Sequence, residues 1–329
     1  MNCNEKFWGM LLHLSMNMWN DQEDQNKNCP YEPKLSCHMP TWRSVIDYMS
    51  ECGLNMVVID LGDAVQYETH PEIAIEGSLT TDELRDELHY IRAKGIIPIP
   101  KLNFSTAHDA WLGIYSRMVS TPKYYEVCRD LIGEVCALFD GPQFFHIGWD
   151  EETAGHQATY EYAVMRSGKL WWNDLKFLID CVKENGSTPW IWAIYKKSME
   201  KILEEVPKDV IISSWFYAKT ASATEEIPVP PLEAWEKLHL DHFNELEKAG
   251  YAQIPCGSNW QTHLNMEQLV PWCKRVISDS NLKGFLMAPW CPTWERYKYR
   301  LLDGVHLTAW AKKDYEKLKR AGDSTVVIK

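Results

Sequence analysis

Clustered basic residues are missing from this 329-residue chain, in which 34 Lys and Arg stand against 46 Asp and Glu for a net charge of −12. A nucleic-acid or anionic-membrane surface needs a cationic patch, so neither partner is expected and neutral substrates fit better. No apolar run approaches the length of a bilayer span, and no signal-peptide core precedes the first strand-like segment; a cytoplasmic protein is the expectation. The ten cysteines, at 3, 29, 37, 52, 128, 136, 181, 256, 273 and 291, include no Cys-x-x-Cys pair. That removes a zinc ribbon and a thioredoxin-type motif and leaves reduced, mostly structural thiols. No Gly-rich phosphate loop follows any strand-like run, so a nucleotide-binding fold has no support.

What is present is a well-mixed globular composition, 45% hydrophobic and 24% charged, long enough for one large α/β barrel or two ordinary domains. Short apolar runs at residues 9–14, 55–61, 96–102, 144–148, 189–194, 210–215, 253–257 and 284–288 read as strands. Helix-period patterns cover 41–52, 81–94, 124–139, 170–185, 197–205, 232–249 and 266–278, and a last one at about 302–319 closes the series. Eight strands alternating with helices over this length predict a single (β/α)8 TIM barrel, one domain spanning residues 1–329. Thr80-Thr81-Asp82-Glu83 reads as an N-cap with first-turn acids, and Lys94-Gly95 as a basic last turn with a glycine stop. Two irregular stretches, 20–39 with Pro30 and Pro33 and 217–231 ending Ile-Pro-Val-Pro-Pro, read as long loops over the barrel mouth.

The chemistry concentrates where Phe144-Phe145-His146-Ile147-Gly148-Trp149 stops in Asp150-Glu151-Glu152. An apolar strand buried in a parallel sheet and ending in carboxylates is how a barrel presents an active site at its carboxyl end. Two adjacent carboxyls in a site closed to water cannot both ionise cheaply, so one becomes a candidate general acid. Sixteen Trp residues add a second signal, because those at 149, 192, 215, 260, 290 and 294 fall at strand ends. Flat rings there suit the apolar face of a pyranose.

His146-Ile147-Gly148-Trp149-Asp150-Glu151 resembles the His-x-Gly-Gly-Asp-Glu signature of glycoside hydrolase family 20, the β-N-acetylhexosaminidases. Phe7-Trp8-Gly9-Met10-Leu11-Leu12-His13 is similar to that family's Arg-Gly-x-x-x-Asp first strand, and residues 55–67 to its second strand and acidic loop. Ile99-Pro100-Lys101-Leu102-Asn103, running on to His108, resembles its Pro-Glu-x-Asp-x-Pro-Gly-His, while Trp260 and Trp290 match its strand-seven and strand-eight tryptophans. The resemblance implies Glu151 as general acid/base and Asp150 as the carboxylate that steadies the substrate's 2-acetamido group while that group attacks the anomeric carbon. It also implies a supporting Asp–His pair, Asp63 and His108, with Asp60 a rival for the first. The implied sugar contacts are His146, Trp149, Trp192, Trp215, Trp260, Gln261, Trp290, Trp8 and His13. The family's gripping Arg is Trp8 here, its Asp is His13, the second signature Gly is Trp149, and the strand-seven Tyr is Gln261.

A retaining exo-glycosidase is therefore the leading expectation, with a carbohydrate substrate, no cofactor, no bound metal and a homodimer as one possible assembly. Three alternatives stay open at this point: a conventional glycosidase using Asp150 or Glu152 as nucleophile or base, a sugar-binding barrel without turnover, and a metal-dependent hydrolase drawing on His13, His108, His146 and Asp150.

Overall fold

The structure, a computed structural model, describes residues 5–23, 30–194, 199–218, 234–315 and 317. Along the chain it forms β1 (Phe7–His13), α1 (Met39–Glu51), β2 (Met56–Asp60), α2 (Thr81–Ala93), β3 (Ile97–Lys101), α3 (Pro122–Leu138), β4 (Phe144–His146) and α4 (Gly168–Glu184). These are followed by β5 (Thr188–Trp192), α5 (Met199–Glu205), β6 (Ile211–Ser213), α6 (Ala234–Ala249), β7 (Cys256–Gly257), α7 (Asn265–Val276), β8 (Gly284–Met287) and α8 (Lys298–Tyr315). Every strand and helix expected from the alternation is present, with ends that differ by a few residues. The second long loop, 217–231, lies outside the described residues from 219 onward, as do 24–29 of the first.

All strand pairings are parallel, in the order β6-β5-β4-β3-β2-β1-β8-β7. Two further parallel bridges, Ile212 with Gln253 and Trp215 with Cys256, join the edges and close the barrel. The expected strand over 253–257 shrinks to its last two residues because Pro255, with no N–H, breaks the ladder. Helix α2 starts on the expected N-cap Thr80, which forms a capping box with Glu83, and Gly95 follows it at φ +75°. The eight cysteines within the described residues are free thiols.

Strand periodicity divides the apolar side chains between two cores. Phe7, Leu11, Met56, Val58, Ile99, Phe144 and Trp190 fill the barrel interior; Met10, Leu12, Val57, Ile59 and Phe145 face the helices. Continuing the interior parity toward the carboxyl ends gives one layer across four neighbouring strands, His13 beside Asp60, Asp60 beside Lys101, and Lys101 beside His146. A charge pair is thus built into the barrel just beneath its mouth. Burial alone would raise the Asp60 carboxyl, but Lys101 and His13 outweigh it and bring the group down to about 2.

The same parity corrects one expectation. Trp8 lies on the outer side of β1, stacked on Phe285 at 4.9 Å and edge-on to Tyr315 of α8 at 5.4 Å, so it packs barrel against helix and lines neither cavity at the barrel mouth.

Candidate active site

Beyond His146 the chain turns sharply. Gly148, Trp149 and Glu151 have φ of +71°, +80° and +56°, conformations that cost about 1–3 kcal/mol each for side-chain-bearing residues and are tolerated only where surroundings hold them. Asn103, two residues past β3, supplies much of that hold. Its Oδ1 accepts from the Trp149 and Ser105 amides at 3.2 and 3.1 Å, and its Nδ2 donates to Asp150 Oδ1 at 3.0 Å. A Cβ on Gly148 would stand 1.9 Å from Asn103 Oδ1, so only glycine fits. The Gly148 amide donates to His146 Nδ1 at 3.0 Å. Burial, aided by Lys101, holds the His146 pKa well below the usual histidine value, consistent with a neutral ring accepting at Nδ1.

The turn delivers Asp150 and Glu151 to the wall of a cavity of about 580 Å³ at the carboxyl end of the barrel. Trp192, Trp215, Trp260 and Trp290 all line it, as does His108. Trp260 is the exposed one, at 57%. His108 sits between the carboxylates, Nδ1 3.5 Å from Asp150 Oδ1 and Nε2 3.6 Å from Glu151 Oε2. His156 approaches Glu151 Oε2 from another side at 3.4 Å, its Nδ1 paired with Thr153 Oγ1 at 2.9 Å. A smaller cavity of about 260 Å³ adjoins and shares Asp150, Glu151, His156 and Trp215 with the first. Trp149 lines only this smaller one, packed on Trp171 and under the Arg166 guanidinium at 4.0 Å.

Other expected site residues lie elsewhere. His13 is buried in the layer below, Nδ1 3.4 Å from Asp60, and His146 is buried there against Trp192. Gln261 is exposed and not among the cavity-lining residues, although its neighbour Trp260 is. The expected Asp63–His108 pair does not form. Asp63 Oδ2 accepts from Asn17 at 2.9 Å and its Oδ1 has no hydrogen bond, while Asp60, the rival, is bound to Lys101. His108 instead faces Asp150 and Glu151. Glu152 lines only the smaller cavity, and Arg166 holds its two oxygens at 2.7–3.1 Å, an engagement that disfavours the nucleophile or base role considered above.

Asp63 offers a pH test of the loop it anchors. Burial, with a smaller contribution from Asp60, pushes its carboxyl up to about 7. A folded value above the unfolded one means the native state holds the extra proton, so its stability is full below the unfolded value near 4 and is lost as pH rises toward 7. Asp63→Asn mimics the neutral acid and is expected to flatten that slope, gaining on the order of 2–4 kcal/mol over the wild type at pH 8 and nothing at pH 4, as read by urea denaturation across pH.

Sequence reading missed Trp19, His156, Tyr217, Tyr297 and Arg300, all of which line the larger cavity. Trp19 immediately precedes the long loop expected at 20–39, and Tyr217 opens the one after β6; the loops were legible, the inward residues at their edges were not. His108, Asp150 and Glu151 also form the grouping, among the described residues, whose donor atoms lie within 4.8 Å of one another as metal ligands would. His13 and His146, drawn into the metal alternative above, are not part of it.

No protein-family model matches the chain. Solved structures do. An exo-β-N-acetylglucosaminidase of glycoside hydrolase family 20 from Vibrio harveyi superposes with a TM-score of 0.61 at 16% identity, over 93% of this chain and 54% of that longer one. A β-N-acetylhexosaminidase from Bacteroides fragilis gives 0.62 at 15%, over 98% and 67%, and the family 20 enzyme of Streptomyces coelicolor 0.61 at 12%, over 98% and 72%. This chain thus spans little more than half the length of the Vibrio enzyme. At such identities the likeness is one of fold, and over nearly its whole length the chain shares the barrel of family 20 β-N-acetylhexosaminidases.

Proposed function

We propose that this chain is a retaining, exo-acting glycosidase in which Glu151 is the general acid/base and Asp150 positions a 2-acetamido group on the substrate. The observation that carries the reading is the side-by-side placement of the two carboxylates on the wall of an aromatic cavity, with oxygens within 4.8 Å of each other and His108 between them. Inverting enzymes hold their carboxyls about 6.5–9.5 Å apart to admit a water, so this spacing speaks against the inverting arrangement, and the choice between substrate assistance and direct attack falls to the test below.

In the proposed cycle Glu151, the more exposed of the pair, gives its proton to the leaving oxygen. The substrate's acetamide oxygen closes on the anomeric carbon from the opposite face, and Asp150 accepts the acetamide N–H as positive charge develops. Asn103 fixes the rotamer of Asp150 through Oδ1, a preorganised acceptor that needs no reorganisation at the moment of reaction. Glu151 then takes a proton from the water that opens the cyclic intermediate. Trp192, Trp215 and Trp290, which line the cavity, supply the apolar wall for the ring.

The test is hydrolysis of matched aryl glycosides with and without the 2-acetamido group, in the presence of a chelator. Release confined to the acetamido sugars, with the β-anomer of the product formed first from a β-glycoside, is the expected result. Equal turnover of 2-hydroxy sugars would favour Asp150 as a direct nucleophile, and loss of activity in chelator would favour a metal at His108, Asp150 and Glu151.

A further inference from the structure

Arg300 belongs to the first turn of α8 and lines the larger cavity together with Asp150 and Glu151. It is the sole Lys or Arg among the described residues of that wall. Its Nε and Nη2 are shielded from solvent, yet neither donates to any described residue. Three carboxylates, one on the same helix and two on the cavity wall, are already engaged. Asp303, three residues along the helix, accepts from Asn259 Nδ2 at 2.9 Å and pairs with His263 Nδ1 at 2.8 Å. Asp150 and Glu151 pair with Asn103, His108 and His156. Asn259 Nδ2 also donates to the Arg300 carbonyl at 2.9 Å, so the backbone carrying the guanidinium is pinned.

A second shielded donor belongs to the same cavity, the indole N–H of Trp290, again with no acceptor. The contrast with Arg166 is direct, since that guanidinium is saturated by Glu152, Asp174 and the Phe104 carbonyl. Desolvated cationic donors without an acceptor are costly, and a position that keeps them is one where a ligand supplies the acceptor. Guanidinium geometry matches a planar carboxylate or a sulfate oxygen pair bidentately.

We propose that Arg300 reads an anionic substituent, a carboxylate or a sulfate ester, on the saccharide that occupies this cavity, so that the preferred ligand is an acidic sugar. The net charge of −12, which by itself pointed to neutral substrates, is no obstacle: charges farther off than a Debye length of about 8 Å are screened, whereas a contact pair in a closed pocket is not. This deepens the glycosidase reading by naming its substrate class, but it makes a claim about binding that stands apart from turnover.

The test is therefore a binding one, on the full chain, by tryptophan fluorescence titration with four free sugars: N-acetylglucosamine, its 6-sulfate, glucose and glucuronate. The expected result is that at least one acidic sugar binds about tenfold or more tightly than its neutral counterpart, that Arg300→Met erases the difference, and that Arg300→Lys retains part of it. The 6-sulfate and glucuronate arms separate the two anion sources. Equal binding of acidic and neutral sugars by the wild type overturns the proposal, as does a preference that survives in Arg300→Met, or no binding of any of the four at millimolar concentration. An anionic preference without hydrolysis of any glycoside would defeat the glycosidase reading and leave this one intact; turnover of neutral acetamido sugars with no anionic preference would do the reverse.

Discussion

Glu151→Gln is expected to lower kcat by about 10²–10⁴-fold while leaving sugar binding in place, because a positioned general acid contributes that much and the amide keeps the shape of the side chain. The effect should depend on the leaving group. An activated nitrophenolate departs with little protonation, so its release is expected to suffer least, whereas an alkyl or sugar aglycone needs the proton and is expected to suffer most. A fall of the same size for both leaving groups would mean that Glu151 supports the cavity and does not deliver a proton. His108 and His156 both approach Glu151 Oε2, so the variant also removes their shared acceptor; a thermal unfolding scan alongside the kinetics separates that structural loss from the chemical one.

The largest stability effect is expected at Arg166. The side chain is almost fully buried and bridges two buried carboxylates, Glu152 at 2.7 Å and Asp174 at 3.2 Å. It also donates to the Phe104 carbonyl at 2.8 Å and covers the Trp149 ring. Glu152 directly follows Glu151, so this network anchors the turn that carries Asp150 and Glu151. Burying three charged groups costs much, and their mutual attraction offsets the cost only while all three are present.

Arg166→Met leaves Glu152 and Asp174 buried without their cation and is expected to cost about 3–5 kcal/mol in urea denaturation. It also removes a positive charge from the neighbourhood of Asp109, whose carboxyl burial already raises well above its ordinary value. The triple replacement Arg166→Met, Glu152→Gln and Asp174→Asn is expected to regain part of the loss at pH 7. A single variant as stable as the wild type at neutral pH would show that the network contributes nothing there.

Alternation of apolar runs with helical periods was enough to predict the barrel, because each βα unit has to bury one face of its helix on a parallel sheet whose strands are apolar on both sides. The apolar run ending in Asp150-Glu151 marked the mouth of strand four, and the tryptophans at later strand ends marked its wall, for the same local reason: polarity changes where a buried strand leaves the core. Parity along β1 was equally legible, and it could have excluded Trp8, which shares the outward register of Met10 and Leu12. Which polar groups meet was decided by tertiary structure alone. His108 faces Asp150 and Glu151 where an Asp63 partner was expected, Glu152 turns away to Arg166, and His156 and Arg300 reach the cavity from a loop and a helix start far apart in the chain. Loop side chains carry no periodicity that reports their direction; their partners are chosen by distances that exist only after eight strands have closed the ring and brought separate loops to one face.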